Sequence, residues 1–488
     1  MKSFRLIMTA VTLLVLAGLA GCGGGSSGGT NVASGIGGTG KIASGSITAF
    51  GSIFVNGVEY NIDAANCSVD DTDVTGACQA NLALGMVVTV EGTVSGTAGT
   101  ATGVVFDANV EGPVSGLVTS TDGFTRSFSV LGINVTVDKG TTLFDDSFPG
   151  FSFSTLADNN VVQISGFFDA GGTLQATYIN KKAGAATIGT TPVELKGTVA
   201  SVTGSGGPND SFTLNGVAVS ILPGADLGDV PGGAVSNGDF VEARGVLTGA
   251  ASMDASRIQL EAPSIGGDGD EVSLEGLVSG FTGDPGNFRV AGRTVDARSA
   301  TLEPAGLSLA NGLRLEVEGV INGTTLVASS IESRGGEIKI DARISDVTAT
   351  TLTVTLGDGG ITVAVNDQTT LEDSTDVIEN PRLSDFSIGD FVEIRGFADA
   401  AGVVASEIHR STPDNVILQG PVDGFVGDSS ITVLGVTFFT DGGTRFQDAS
   451  ESSVTSTAFY AALAQGDLVA IRDNQPGDGT ADAVAQED

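Results

Sequence analysis

Gly389-Asp390-Phe391-Val392-Glu393-Ile394-Arg395-Gly396 is one of six versions of a phrase that recurs along this chain of 488 residues. The others run Gly85 to Gly92, Asn159 to Gly166, Gly238 to Gly245, Gly312 to Gly319 and Gly466 to Asp473. The closing positions 92, 166, 245, 319, 396 and 473 are 74, 79, 74, 77 and 77 residues apart. A period that regular marks tandem copies of one module. Within the phrase the apolar residues fall two apart, as in Val88/Val90, Val162/Ile164, Val392/Ile394 and Val469/Ile471. Period two reads as a half-buried antiparallel strand, and it places Glu242/Arg244, Glu316/Glu318 and Glu393/Arg395 on a wet face.

Working outward, each copy opens with an apolar segment around a small residue, such as Gly45-Ser46-Ile47 or Gly420-Pro421-Val422. A hairpin-like stretch follows, as in Phe54-Val55-Asn56-Gly57-Val58, where Asn-Gly supplies the positive φ of a two-residue turn. After a variable stretch and the phrase itself, each copy closes with alanine and an aliphatic residue three positions on, for example Ala101/Val104 and Ala405/Ile408. Positions three apart face opposite sides of a flat strand, so either the alanine packs at the strand entry or a bulge intervenes. Five strands, with room for a helix only between the third and fourth, give an all-β fold: a tandem array of about six small five-stranded OB-like Greek-key barrels. Ser453 to Gln465 has the composition of such a helix in the last copy. A six-bladed propeller is the alternative, although about 75 residues is long for a blade. The copies are bounded as 42–111, 112–192, 193–265, 266–335, 336–412 and 413–488. Modules of this size are marginal alone, so contacts between them are expected to add stability.

Residues 1–22 read as a targeting segment, with Lys2 and Arg5 ahead of the apolar run Leu6 to Leu19. The run ends Leu19-Ala20-Gly21-Cys22, which resembles the lipobox of bacterial lipoproteins. That resemblance implies cleavage before Cys22 and lipidation of it, and two or three acyl chains make a lasting anchor. Gly23 in place of Asp implies sorting to the outer membrane. Residues 23–41, nearly all Gly, Ser, Thr and Ala, read as a flexible tether spanning about 25 Å.

The chain carries 58 Asp+Glu against 22 Lys+Arg, a formal net charge of −36. Such a surface repels nucleic acid and anionic headgroups, so membrane contact is expected through the lipid anchor alone. Cys67 and Cys78 lie close together in the first copy, and in an exported chain they are expected to pair as a disulfide. A metal site there would need further ligands, and His409 is the single histidine. His409 has no equivalent in the other copies and reads as a surface residue, so no nucleophile, base or zinc constellation stands out and no enzyme is expected. No cofactor is expected either, beyond calcium at two acidic stretches: Asp70, Asp71 and Asp73, and Asp473, Asp478 and Asp482. Neither stretch fits an EF-hand loop. Trp is absent and Tyr is confined to Tyr60, Tyr178 and Tyr460, which weighs against sugar binding.

Ile47-Thr48-Ala49-Phe50-Gly51-Ser52-Ile53-Phe54-Val55-Asn56-Gly57-Val58, continued by Leu84 to Gly92, resembles a bacterial family known only as domain of unknown function 5666. Later copies keep Val-x-Val-x-Gly but lose Phe-Gly-Ser. The family implies tandem modules behind a lipoprotein signal and brings no active site. The expected function is that of a non-enzymatic, lipid-anchored envelope protein: a rod of barrels serving as spacer, scaffold or docking surface for a protein or envelope component. The alternative is a binding module whose OB-like faces take a small ligand, divalent cation or polysaccharide.

Overall fold

The structure, a computed structural model, describes residues 42–486 except 51, 121–124, 140, 146, 229, 262–264, 304–306, 335–337, 367–368, 374, 376–377, 379–380, 400–401, 449–451 and 475–477. The targeting segment, Cys22 and the tether lie outside the described residues.

Barrel 5 shows how a module closes. Its strands are Ile338–Val347, Thr351–Leu356, Gly359–Ala364, Phe391–Asp399 and Gly402–Ser411. The first pairs antiparallel with the second and with the fourth, and the second pairs with the third. The third runs parallel to the fifth, which pairs back onto the fourth. The order 1-2-3-5-4-1 leaves no free edge. Barrels 1 and 2 close in the same way. In barrels 3, 4 and 6 one seam narrows to a single bridge: Ala200–Thr213, Ser279–Arg289 and Phe439–Thr480. These are barrels, not propeller blades. The helix Ser456–Ala462 lies between the third and fourth strands of barrel 6, and four other copies carry a 3-10 turn in that interval. The apolar positions of all six phrases are at most 1 % exposed.

The closing alanine is explained by a bulge. In barrel 5, Arg395 lies opposite Glu407 but the next residue, Gly396, lies opposite Ala405, so Ser406 is left over. The same slip leaves over Thr102, Thr177, Ser256 and Ser329 in barrels 1 to 4. Every extra residue is serine or threonine, and in barrels 1, 3, 4 and 5 the hydroxyl donates across to the carbonyl of the residue before the glycine. The glycine is required because the bulge drives the opposite backbone against it. A Cβ at Gly92, Gly166, Gly245, Gly319 or Gly396 would lie closer than 3.0 Å to a backbone oxygen of the fifth strand. In barrel 6 Asp473 replaces the glycine, and the register from Val469 to Arg472 runs without a bulge.

The barrels are not strung in order. The first strand of barrel 1 (Ile42–Phe50) pairs parallel with that of barrel 4 (Glu271–Leu277), through Ile42–Ser44 and Val272–Leu274. First strands also pair antiparallel between barrels 2 and 3 and between barrels 5 and 6. All six first strands are used, each with one partner copy. Further contacts cross the chain: Thr177 of barrel 2 donates to the Gly85 carbonyl of barrel 1 at 2.6 Å, and Tyr178 completes the core of barrel 1 edge-on to Phe106. A rod in which each copy touches only its sequence neighbours is therefore ruled out. The described residues form one compact unit.

Gly396→Ala should lower stability by about 1–3 kcal/mol, the usual cost of forcing an atom into a packed site. Gly184→Ala, where a Cβ meets nothing within 4 Å, should change it little. Denaturant midpoints of the two variants check this.

Candidate functional site

The charged residues of the phrase do not face water. Glu242, Glu316, Glu318, Glu393 and Arg395 are between 1 % and 6 % exposed. This corrects the wet-face expectation. The reason is barrel packing: the outer face of one barrel's fourth strand becomes the inner face of a junction with another. Glu91 of barrel 1 remains exposed there, and Arg244 is half-buried.

Three junctions result. Where barrels 1, 2 and 3 meet, Arg244 pairs with Glu242, with Glu194 at 3.4 Å and with Asp71 of barrel 1 at 3.3 Å. Its Nη1 donates to the Asp70 carbonyl at 2.6 Å, and Lys196 lies 3.2 Å from Glu242. Glu194 sits directly opposite Glu111 across the barrel 2–barrel 3 strand pair. Burial, then Glu242, raises the pKa of Glu194, and burial raises that of Glu111. Burial also pushes Asp107 up to about 6.

Where barrels 2, 5 and 6 meet, Arg395 Nη1 donates to Asp341 Oδ1 at 2.9 Å and its Nε lies 3.9 Å from Asp138 of barrel 2. Lys339 reaches Asp138 at 3.6 Å, and Lys139 reaches Asp414 at 3.3 Å and Glu393 at 3.9 Å.

Where barrels 1, 4 and 5 meet, a continuous relay crosses all three. Glu372 lies 3.3 Å from His409 Nδ1, and His409 Nε2 lies 3.7 Å from Glu407 Oε2. Glu407 Oε1 is 3.7 Å from Arg314 of barrel 4, which donates from Nε to Glu275 Oε1 at 2.8 Å. Glu275 Oε2 then accepts from the Ser46 backbone N–H of barrel 1 at 2.7 Å and from its hydroxyl at 3.0 Å. The junction encloses a polar cavity of about 30 Å³. Beside it Arg334 pairs with Glu316, whose carboxyl burial pushes up to about 8. His409, expected at the surface, is 4 % exposed. It is buried because strands on both sides of it carry glutamates that offset its charge.

The sequence-derived site residues are placed as follows. A disulfide joins Cys67 to Cys78, tying the short strand Asn66–Val69 to the 3-10 turn Gln79–Asn81. Asp70 accepts from Gln163 Nε2 of barrel 2 at 2.7 Å, and Asp71 pairs with Arg244 and with Arg257. Asp73 accepts the Thr75 N–H. In barrel 6 Asp473 is buried, Asp478 accepts the Thr480 N–H and Asp482 accepts the Asn474 N–H. Among the described residues no three or more His, Cys, Asp or Glu side chains are grouped to hold a metal ion. Cys22 lies outside the described residues. The junction arginines escaped the sequence reading. Their signal was that Arg244, Arg314 and Arg395, three of only 22 basic residues, all fall in the repeated phrase.

One open cleft, of about 360 Å³, lies between barrels 1 and 5. Phe50, Phe54 and Leu84 line it from barrel 1, and Leu371, Pro381 and Leu383 from barrel 5, with Glu59 and Arg382 exposed at its edge.

Closed 1-2-3-5-4 barrels repeated in tandem define a protein built from OB-like repeats. The chain belongs to the family described as Domain of unknown function (DUF5666), which matches residues 39–104, 115–180, 196–259, 275–332, 341–409 and 419–485. Each match spans one barrel. No curated protein matches the chain.

Removing one partner of a buried ion pair leaves the other charge uncompensated. Arg395→Met should therefore cost about 3–5 kcal/mol, whereas Arg298→Met, at an exposed pair with Asp296, should change stability little. Chemical denaturation of the two variants provides the comparison.

Proposed function

We propose that this protein is a non-enzymatic lipoprotein of the cell envelope, exported and held at the outer membrane by lipid on Cys22. Its six barrels act there as one preassembled body that serves a structural or docking role. The observation that carries this reading is the fate of the charged strand faces. In copies 3 to 5 their arginines reach carboxylates of other barrels, which favours rigidity over repeated ligand binding. The chemistry points the same way: the junction arginines are each met by carboxylates, and the single histidine is held between two of them. With a formal charge of −36, the body resists association with other acidic envelope surfaces, so a docking partner should be basic or neutral. Radiolabelled palmitate should enter the wild-type protein and leave it in the membrane fraction. Cys22→Ser should lose both the label and the membrane association. Label retained in Cys22→Ser, or a soluble wild type, would sink the anchor.

A second reading, a binding module for a small ligand, is favoured by the cleft between barrels 1 and 5. Its apolar walls and the cation at its edge suit a flat apolar molecule bearing an anionic group. Phe50, which opens the Phe-Gly-Ser sequence found only in the first copy, supplies part of this wall. The dye 1-anilinonaphthalene-8-sulfonate should bind with saturation, weaken about tenfold in Arg382→Glu and bind still more weakly in Phe54→Ser. Non-saturable fluorescence, unchanged in both variants, would remove this reading.

A further inference from the structure

We propose that His409 is a proton-dependent keystone for the junction of barrels 1, 4 and 5, holding it shut while the imidazole is charged and releasing it when the proton leaves.

The geometry is specific. His409 lies on the fifth strand of barrel 5 with Glu393 directly opposite on the fourth strand and Glu372 directly opposite on the short strand Thr370–Asp373. Glu407 lies two residues back on the same strand and carries the contact onward to Arg314 of barrel 4. Lys139 of barrel 2 approaches Glu393 from the far side at 3.9 Å. On the barrel 4 wall of the cavity stand Glu275, Glu332 and Arg334, with Glu316 bound to Arg334. Three glutamates therefore face the imidazolium, and Arg314 and Lys139, which they share with Glu275 and Asp414, offset them only in part. Loss of one proton leaves a buried carboxylate in excess, at the point where the relay passes from barrel 5 to barrel 4. An uncompensated buried charge is costly enough to break such a contact.

The sign follows from the local field. Burial alone would lower the His409 pKa, but Glu372, with Glu407 and Glu393, overrides it and pushes it up to about 9. A group whose pKa rises on folding stabilises the fold fully below its unfolded value, about 6.5, and loses that contribution as pH climbs through about 9. Glu316 loses stability over an overlapping window, because its pKa is also raised. A variant at His409 is needed to separate the two.

Because the chain has one histidine, the full-length protein should show a single imidazole C2–H resonance by NMR. Its titration midpoint should lie at least two pH units above a free imidazole. Wild-type melting temperature should fall from pH 7.5 to pH 10 while Glu316→Gln retains most of that fall. His409→Gln should melt lower at pH 7.5 and meet the wild type near pH 10. A midpoint between 6 and 7, or a His409→Gln pH profile parallel to the wild type, overturns the proposal. If His409→Gln does not fold, amide exchange of the wild type at pH 7.5 and 9.5 decides. Protection lost first at the 1–4–5 junction supports the keystone, and loss spread evenly over all six barrels refutes it.

Discussion

An arginine between two folded barrels is tolerated only when carboxylates travel with it, and the rest of this structure depends on that constraint. Desolvating a guanidinium costs several kcal/mol, repaid only by well-placed acceptors. Arg244, Arg314 and Arg395 each sit on a fourth strand and each meets carboxylates from more than one strand. Their pairing couples barrels that the chain itself does not make neighbours. Shared apolar cores join barrel 2 to barrel 3 and barrel 5 to barrel 6, and the ion pairs fasten these pairs and barrels 1 and 4 to one another. With few bases and many acids, most lysines and arginines are drawn inward, leaving the outer surface to carboxylates.

The bulge gives the module its grammar. One surplus serine or threonine in the fifth strand bends it over the fourth, and the glycine opposite makes room. The hydroxyl returns a hydrogen bond to the strand it crosses, so the irregularity carries its own fastening. Increased local twist is what a five-stranded sheet needs in order to close. The motif that advertises the family is thus a record of curvature.

Much of this was legible in the sequence. Period two in Val392 and Ile394 fixed the inward face of the fourth strand, and the 74–79-residue spacing counted the barrels. The Asn56-Gly57 and Asn215-Gly216 turns adopt the positive φ that their residue types invite. The junctions were not legible, for a physical reason. Alternation distinguishes inside from outside within one barrel, but a polar outer face looks the same whether water or another barrel lies beyond it. Glu393 and His409 were therefore assigned to solvent. The strand pairing of Ala43 with Ser273 likewise has no local signature, because either strand could pair with any other copy.

That same pairing sets an order of events in time. The first strand of barrel 1 finds its partner about 230 residues further along the chain, at Val272–Leu274. Barrels 2 and 3 can dock on each other as soon as both are complete, while the edge at Ile42–Ser44 has no mate until barrel 4 arrives. An unpaired edge is a template for the wrong strand, including the same strand of another molecule. The Gly- and Ser-rich segment immediately ahead of that edge has a composition of little β-propensity. Assembly of this protein is thus a race between its own fourth barrel and its neighbours.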